Sequence, residues 1–331
     1  MDKDKIFSIV QKYLEDVPVI LVGTGATIPL GIPGMYDLSK HLIAALNEKY
    51  KASSAWEQVV NNLNDGIDLE SALAGIILEQ PLLDDIAVET WQLITKSDLQ
   101  FFTNSRTGSK KLALAEIIDK YYQTQPQCVN IITTNYDRII EYACDQIRVK
   151  VDTKYHGNYI RYFSNAPLKQ RNVVNLLKVH GSLDLFRDEN GLVYSIPLQN
   201  NIPTGFLPEI ITPGISKYEA VLTSGFRNIL HEADSVIKAA KSYLCIGYGF
   251  NDEQIQTLVI EGIKAGKPIV VVTKAISDKA ASLLANNSNK FVIIEENPDA
   301  PNCTRFTINR DYHYLDETYW TIDGLIKIKW I

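Results

Sequence analysis

VPVILV at residues 17–22, followed directly by Gly23-Thr24-Gly25, is the stretch that decides the fold. An extended chain of this composition is apolar on both faces, which is typical of a central parallel strand covered by helices on both sides. Glycines at its end allow the tight turn into the next element. We therefore predict that residues 17–22 form the centre of an α/β sheet.

The same pattern recurs along the 331 residues. Further apolar runs predict strands at Val129–Ile132, Leu176–Val179, Tyr243–Ile246, Ile269–Val272 and Phe291–Ile294. Helical periodicity is found at Ile6–Leu14, Arg138–Ile147, Tyr218–Ala240, Glu253–Ala265 and Ser277–Asn286. Strands alternating with helices predict an α/β fold with a Rossmann-like, doubly wound parallel sheet.

One long stretch interrupts the alternation. Residues 36–122 show helical periodicity without a convincing strand, so we predict a helical module inserted into a domain that spans residues 1–331, with residues 303–331 as a C-terminal extension. Between Ala52 and Thr95 there are eight acids and no Lys or Arg. Such a run is typical of a solvated face; the alternative is a docking surface for a partner or another subunit.

A second interruption, Arg148–Arg171, mixes basic and aromatic residues. Alternation at Tyr159–Phe163 predicts a hairpin with a polar outer face. Aromatic and basic side chains can also bind a single nucleic-acid strand. The net charge of −6 and a pI near 5.5 argue against that alternative. We expect no direct nucleic-acid partner.

The composition excludes several other classes. The four cysteines are far apart and form no C-x-x-C pair, so neither a zinc ribbon nor a disulfide framework is predicted. No signal peptide is apparent, and no apolar run approaches the roughly 20 residues that span a bilayer. These features favour a cytoplasmic protein without a membrane partner.

Four motifs follow predicted strands, at the edge where open α/β sheets bind ligands. The first is Gly23-Thr24-Gly25-Ala26-Thr27, with Gly31-Ile32-Pro33-Gly34 close behind. Glycines at this position let the backbone approach a pyrophosphate. A hydride-transferring Rossmann enzyme needs a third small residue where Ile28 stands, so that class is disfavoured.

The other three motifs are Thr133-Thr134-Asn135-Tyr136-Asp137, His180-Gly181-Ser182 and Gly247-Tyr248-Gly249-Phe250-Asn251-Asp252. Each has an ordinary structural interpretation. Asn and Asp cap helices, and a lone His is more often structural than catalytic. However, two polar side chains flanking a tyrosine exceed what capping requires, and a His beside Gly at a strand end leaves room for a ligand.

Together the pieces GTGAT with GIP, TTNYD, KVHGS and GYGFND resemble, in order, the sirtuin-like (silent information regulator type) family, and specifically its bacterial anti-phage branch of NAD-consuming proteins. The resemblance implies that Asn135 and His180 are the catalytic pair, that Asp137 faces the carboxamide and that Gly247–Gly249 line the adenosine side. The NAD-binding set it implies is Gly23, Thr24, Gly25, Ala26, Thr27, Gly31, Ile32, Pro33, Thr134, Asp137, Gly247, Tyr248, Gly249, Asn251, Asp252 and Thr273.

The sequence departs from the deacylating members of that family. Their four-cysteine zinc module is absent, and Gly34-Met35-Tyr36 stands where an Arg is expected. Thr273-Lys274 replaces the usual Asn near the adenine ribose. We therefore expect no metal, and NAD as a substrate.

The residue types favour NAD hydrolysis. Nicotinamide leaves NAD as a neutral molecule, so no general acid is needed, whereas ordinary glycosidases need paired carboxylates. Asn135 can orient water and His180 can accept a proton near neutral pH. The alternatives are a deacylase or ADP-ribosyltransferase, or a non-catalytic NAD or ADP-ribose sensor. The resemblance further implies an effector of anti-phage defence, held silent in a homo-oligomer or by a separate ATPase or sensor protein.

Overall fold

The computed structural model describes residues 1–107, 111–213 and 224–328. Its main sheet has nine strands in the order β14-β13-β12-β11-β10-β1-β2-β6-β3, and all strands from β12 to β3 are parallel. The sheet consists of β1 (Val19–Val22), β2 (Cys128–Thr133), β3 (Val151–Asp152), β6 (Val173–Lys178), β10 (Tyr243–Ile246), β11 (Ile269–Val272), β12 (Phe291–Glu296), β13 (Thr304–Ile308) and β14 (Asp311–Leu315).

Helices cover both faces of this sheet. Ile20 and Val22 of β1 pack into one apolar core and Val19 and Leu21 into another, so every side chain of the strand is buried. The flanking helices are α1 (Lys3–Tyr13), α6 (Ala113–Tyr122) and α7 (Ile139–Gln146) on the first core, and α8 (Ser224–Ala239), α9 (Glu253–Lys264) and α10 (Asp278–Asn287) on the second. The predicted α/β, Rossmann-like, doubly wound fold is confirmed.

Only helices and 3₁₀ turns lie between β1 and β2 in the described chain. The helices are α2 (Met35–Leu46), α3 (Ser54–Asn64), α4 (Leu69–Leu73), α5 (Gln80–Thr107) and α6. The first four share a small core of their own around Trp56, to which Leu82 and Ile86 of α5 contribute. Further along α5, the indole of Trp91 donates to the Leu183 carbonyl, which anchors the helix to the rest of the molecule.

A second, antiparallel sheet follows the order β4-β5-β8-β7-β9. Its strands are β4 (Tyr155–Gly157), β5 (Arg161–Phe163), β7 (Gly181–Asp188), β8 (Val193–Ser195) and β9 (Phe206–Ile210). The strands β4 and β5 form the hairpin expected within residues 148–171. The other three strands were not predicted, because their alternation is interrupted by polar residues and turns.

Several boundaries differ from the sequence prediction. The strand β6 begins at Val173 rather than Leu176, because Val173 pairs with Cys128 of β2. The helix expected at Tyr218–Ala240 is described only from Ser224, and residues 218–223 lie outside the described ranges. The tail continues the main sheet as antiparallel β13 and β14 and ends in the short helix α11 (Ile322–Leu325); residues 329–331 are also outside. No helix in the described chain has the length and apolar character to cross a membrane.

Candidate active site

A small cleft of about 140 Å³ lies at the carboxyl ends of β1, β2, β6 and β10. Parallel strands place the residues that follow them at one edge, which is why the four motifs meet there. The cleft contains side chains or backbone of Gly23, Thr24, Ile32, Pro33, Gly34, Met35, Leu38, Glu70, Ile94, Thr134, Asn135, Tyr136, Asp137, His180, Gly247, Tyr248, Gly249, Asn251 and Asp252. Asn135 and His180, 45 positions apart in the chain, therefore line the same cleft.

Asn135 is 3% exposed and is held from two sides. Its backbone N–H donates to Thr133 Oγ1 at 3.0 Å, and its side-chain Nδ2 donates to Thr27 Oγ1 at 3.2 Å. The amide oxygen Oδ1 is buried and has no hydrogen-bond partner. A buried acceptor without a partner costs about 1–3 kcal/mol, which a bound water or ligand donor recovers. Asn135 therefore presents a fixed acceptor to the cleft.

Asp137 stabilises the loop after β2 that carries Asn135. One carboxylate oxygen accepts the Thr27 hydroxyl at 3.0 Å and the other accepts the backbone N–H of Ile139 at 3.2 Å. Burial raises the pKa of Asp137 above its ordinary value. The ammonium of Lys178 donates to the backbone carbonyls of Tyr136 and Asp137, at 3.1 and 2.5 Å, and so holds the same loop against β6. The N-cap of α7 is Arg138 rather than Asp137, although Asp137 accepts the N–H of the first helical residue, Ile139, and also lines the cleft.

His180 follows β6, and its ring Nε2 lies 2.7 Å from Oδ2 of Asp252. The side chains of His180 and Asp252 are 17% and 5% exposed. Asp252 is also the N-cap of α9, since its Oδ1 accepts the Ile255 N–H at 3.0 Å. The pair joins the end of β6 to the loop after β10.

Gly181 has a different structural role from the one that the sequence predicted. Its φ is +90°, and a Cβ there would lie 2.3 Å from the carbonyl oxygen of Glu209. This glycine therefore lets the chain turn out of β6 into β7 against β9. It does not make room for a ligand.

The glycine turns after β1 and β10 contact each other. The Gly25 N–H donates to the Gly247 carbonyl at 3.1 Å, and a Cβ on Gly25 would lie 2.9 Å from the Gly247 Cα. Next to this contact, the hydroxyl of Tyr248 is buried and has no hydrogen-bond partner. Burial raises the pKa of Tyr248 well above its ordinary value, so this hydroxyl keeps its proton and can donate a hydrogen bond.

A larger cavity of about 910 Å³ lies on the other side of the glycine contact. Gly247 lines both cavities. Of the predicted NAD-binding residues, the larger cavity contains Gly25, Ala26, Gly31, Gly247 and Thr273. Thr27 lines neither cavity and instead bonds Asn135 and Asp137. The predicted set is therefore divided between two neighbouring cavities.

The charge of the cleft comes from acids. Glu70, Asp137 and Asp252 line it, whereas the described lining has no lysine or arginine. Glu70 was noted in the sequence only as one of eight acids, because nothing in the first turn of a five-residue helix marks it as functional. The inserted module brings it to the cleft, together with Met35, Leu38 and Ile94. Such a cleft favours a ligand that carries or develops positive charge.

Residues 129–293 match the family model described as "SIR2-like domain". This segment of the chain is similar to the domain that the family model describes. The matched segment is just under half of the chain and includes three of the four motifs, with Asn135, His180 and Asp252; the glycine turn after β1 precedes it. No curated protein sequence matches the chain.

Solved structures similar to this chain include a Sir2 variant with a deacetylated p53 peptide and 3'-O-acetyl ADP ribose (15% identity, 88% of this chain and 92% of the other, TM-score 0.45). A second is Sir2Tm bound to a propionylated peptide (14% identity, 87% of this chain and 92% of the other, TM-score 0.46). A third is a mutant Sir2 homologue in complex with 2'-O-acetyl ADP ribose (12% identity, 85% of this chain and 88% of the other, TM-score 0.47). The fold assignment rests on the strand order and the two cores described above.

The four cysteines of the chain are free. Across the described ranges, no three His, Cys, Asp or Glu side chains are grouped in a way that could hold a metal ion.

Proposed function

We propose that this protein hydrolyses NAD at the nicotinamide–ribose bond, giving nicotinamide and ADP-ribose. The observation that carries the proposal is the unpartnered Oδ1 of Asn135 in the same acidic cleft as His180. The similarity of residues 129–293 to a SIR2-like domain supports the use of NAD.

The smaller cleft is proposed to hold the nicotinamide and its ribose. Oδ1 of Asn135 accepts a hydrogen bond from a water molecule and orients the water's oxygen towards the anomeric carbon. As the carbon–nitrogen bond breaks, its electron pair neutralises the pyridinium ring and positive charge develops on the ribose. The carboxylate of Glu70 stabilises that charge, because attraction between charges is strong in a poorly solvated cleft.

His180 is proposed to take the proton that the attacking water loses. The larger cavity is proposed to hold the adenosine half, with the pyrophosphate crossing the glycine contact, since Gly247 lines both cavities. Thr273 then lies on the adenosine side.

The test is chromatography of NAD incubated with the purified protein alone. Asn135→Ala and His180→Ala are each expected to lower the rate of nicotinamide release by about 10²- to 10⁴-fold. His231→Ala, which removes an exposed histidine on α8, is the matched control and should retain the wild-type rate. Wild-type turnover in folded, NAD-binding Asn135→Ala and His180→Ala would refute this mechanism.

Two further candidate functions use the same cleft. A deacylase or ADP-ribosyltransferase would release nicotinamide only when an acyl-lysine or other acceptor is added. A non-catalytic sensor would show ligand-dependent thermal stabilisation without nicotinamide release. The acidic cleft supports hydrolysis, because carboxylates stabilise the positive charge that develops on the ribose when its bond to nicotinamide breaks.

Unregulated NAD hydrolysis would kill the cell that makes this protein. We therefore also propose that activity is gated, as an effector of anti-phage defence in the cytoplasm, by assembly into a homo-oligomer or by a separate ATPase or sensor protein. Nicotinamide release measured with and without the products of neighbouring genes tests this part of the proposal.

A further inference from the structure

We infer that Asp252 is the positioning residue of His180, and not an NAD-binding residue as its motif implied. Its carboxylate accepts the Nε2 proton of the imidazole and thereby fixes the tautomer in which Nδ1 carries the lone pair. This inference rests on the proposed function for its catalytic consequence, although the tautomer itself can be measured without any substrate.

The contact is short and buried. Nε2 of His180 and Oδ2 of Asp252 are 2.7 Å apart, within the range of a charge-assisted hydrogen bond. The residues are 72 positions apart and follow different strands, so their contact is a product of the tertiary fold. The Asp252 side chain is 5% exposed and that of His180 is 17% exposed, which leaves little room for solvent to compete.

Asp252 is itself fixed in position. Its Oδ1 accepts the Ile255 N–H at 3.0 Å, and its backbone carbonyl accepts the Gln256 N–H at 2.8 Å. It precedes the first turn of α9, where the helix dipole favours a negative charge. Capping needs one carboxylate oxygen only. The second oxygen is directed at His180 and requires a separate explanation.

A neutral imidazole has one N–H and one lone pair, and an ionised carboxylate can only accept. The proton therefore lies on Nε2, and Nδ1 is the basic nitrogen. This is the sole hydrogen bond of the His180 ring within the described residues. As water bonds to the anomeric carbon, its proton moves to Nδ1 and the glycosidic electron pair moves to the nicotinamide nitrogen. The resulting imidazolium keeps its Nε2–H on the Asp252 carboxylate and later releases the Nδ1 proton to solvent.

The kinetic test separates positioning from ligand binding. Asp252→Asn and Asp252→Ser both keep a good helix cap, so α9 retains its N-terminus. We expect both variants to lower kcat by about 10²- to 10⁴-fold, as when the carboxylate of a catalytic triad is replaced, with KM changed less than threefold. Ser277→Ala, which removes the cap of α10 instead, is the control and should keep the wild-type kcat. A raised KM with unchanged kcat in the Asp252 variants would mean that Asp252 binds NAD.

The structural test is ¹⁵N NMR of the five histidines, with His180→Ala used to assign the signal. We expect the Nε2–H tautomer for His180 in the wild type and a mixture of both tautomers in Asp252→Ser. An Nδ1–H tautomer in the wild type would overturn the inference. If the NMR result is as expected but wild-type protein releases no nicotinamide, the proposed function fails and the His–Asp pair stands. If nicotinamide is released equally by wild type and Asp252→Asn, the positioning role fails.

Discussion

Replacing Asp98 by alanine is expected to be the most destabilising change near the cleft. Asp98 lies on α5, is fully buried, and accepts four hydrogen bonds. Three come from Arg138, through its backbone N–H at 2.7 Å, Nε at 2.9 Å and Nη2 at 2.6 Å. The fourth comes from the Tyr142 hydroxyl at 2.6 Å. Asp98→Ala leaves a guanidinium buried without its partner.

Removing one member of a buried ion pair costs about 3–5 kcal/mol, because the remaining charge is desolvated and uncompensated. That is at least a fifth of a typical domain stability of about 5–15 kcal/mol. Its partner Arg138 follows Asp137 directly in sequence, so the loop that carries Asn135 should loosen as well. Urea unfolding monitored by tryptophan fluorescence measures the loss as a lower midpoint at similar slope.

Two further variants serve as comparisons for that measurement. Asp84→Ala on the same helix removes a partly exposed pair with Arg187, 3.9 Å apart, and should cost less than about 1 kcal/mol. Asp98→Leu combined with Arg138→Met removes both charges and should recover most of the stability. A loss of under about 1 kcal/mol for Asp98→Ala would show that the buried pair does not hold α5 to the loop.

Two other predictions concern the cleft itself. Gly25→Ala should destabilise by about 1–3 kcal/mol in urea unfolding, because its Cβ would lie 2.9 Å from the Gly247 backbone; Gly249→Ala, whose nearest neighbour is 3.5 Å away, is the control and should cost less. Asp137 has a raised pKa, so the folded state prefers its protonated form, and its contribution to stability is present at low pH and lost as pH rises through the folded value. Unfolding free energies measured from pH 4 to 8 should therefore fall for wild type relative to Asp137→Asn, and parallel pH curves for the two proteins would contradict this.

The sheet could be predicted from sequence because its strands are short and apolar on both faces. Tyr243–Ile246 and Ile269–Val272 were predicted with their observed ends, since every residue of both strands is buried and neither strand contains a charged residue. The sequence also predicted that Asn135 and His180 line the same cleft, because parallel strands bring their carboxyl ends to one edge of the sheet.

The contacts that complete the site could not be predicted in this way. Glu70 reaches the cleft through the packing of the helical module, and Asp98 contacts Arg138 only because α5 packs beside the segment that follows β2. The hydrogen bond between His180 and Asp252 joins loops whose separation depends on side-chain packing rather than on strand order. Gly181 gave a misleading signal, since a left-handed turn and an open site both favour glycine.

The 28-residue helix α5 sets the distance between two anchored residues, Ile86 and Asp98, as well as the contact that each one makes. Ile86 is packed in the core of the inserted module. Twelve positions later, Asp98 accepts the backbone N–H of Arg138, next to the loop that carries Asn135. Each residue of an α-helix adds about 1.5 Å and 100°. Adding or deleting a single residue between those two anchors would turn Asp98 away from Arg138, however well the new residue suited a helix. This interval can therefore change in composition but not in length.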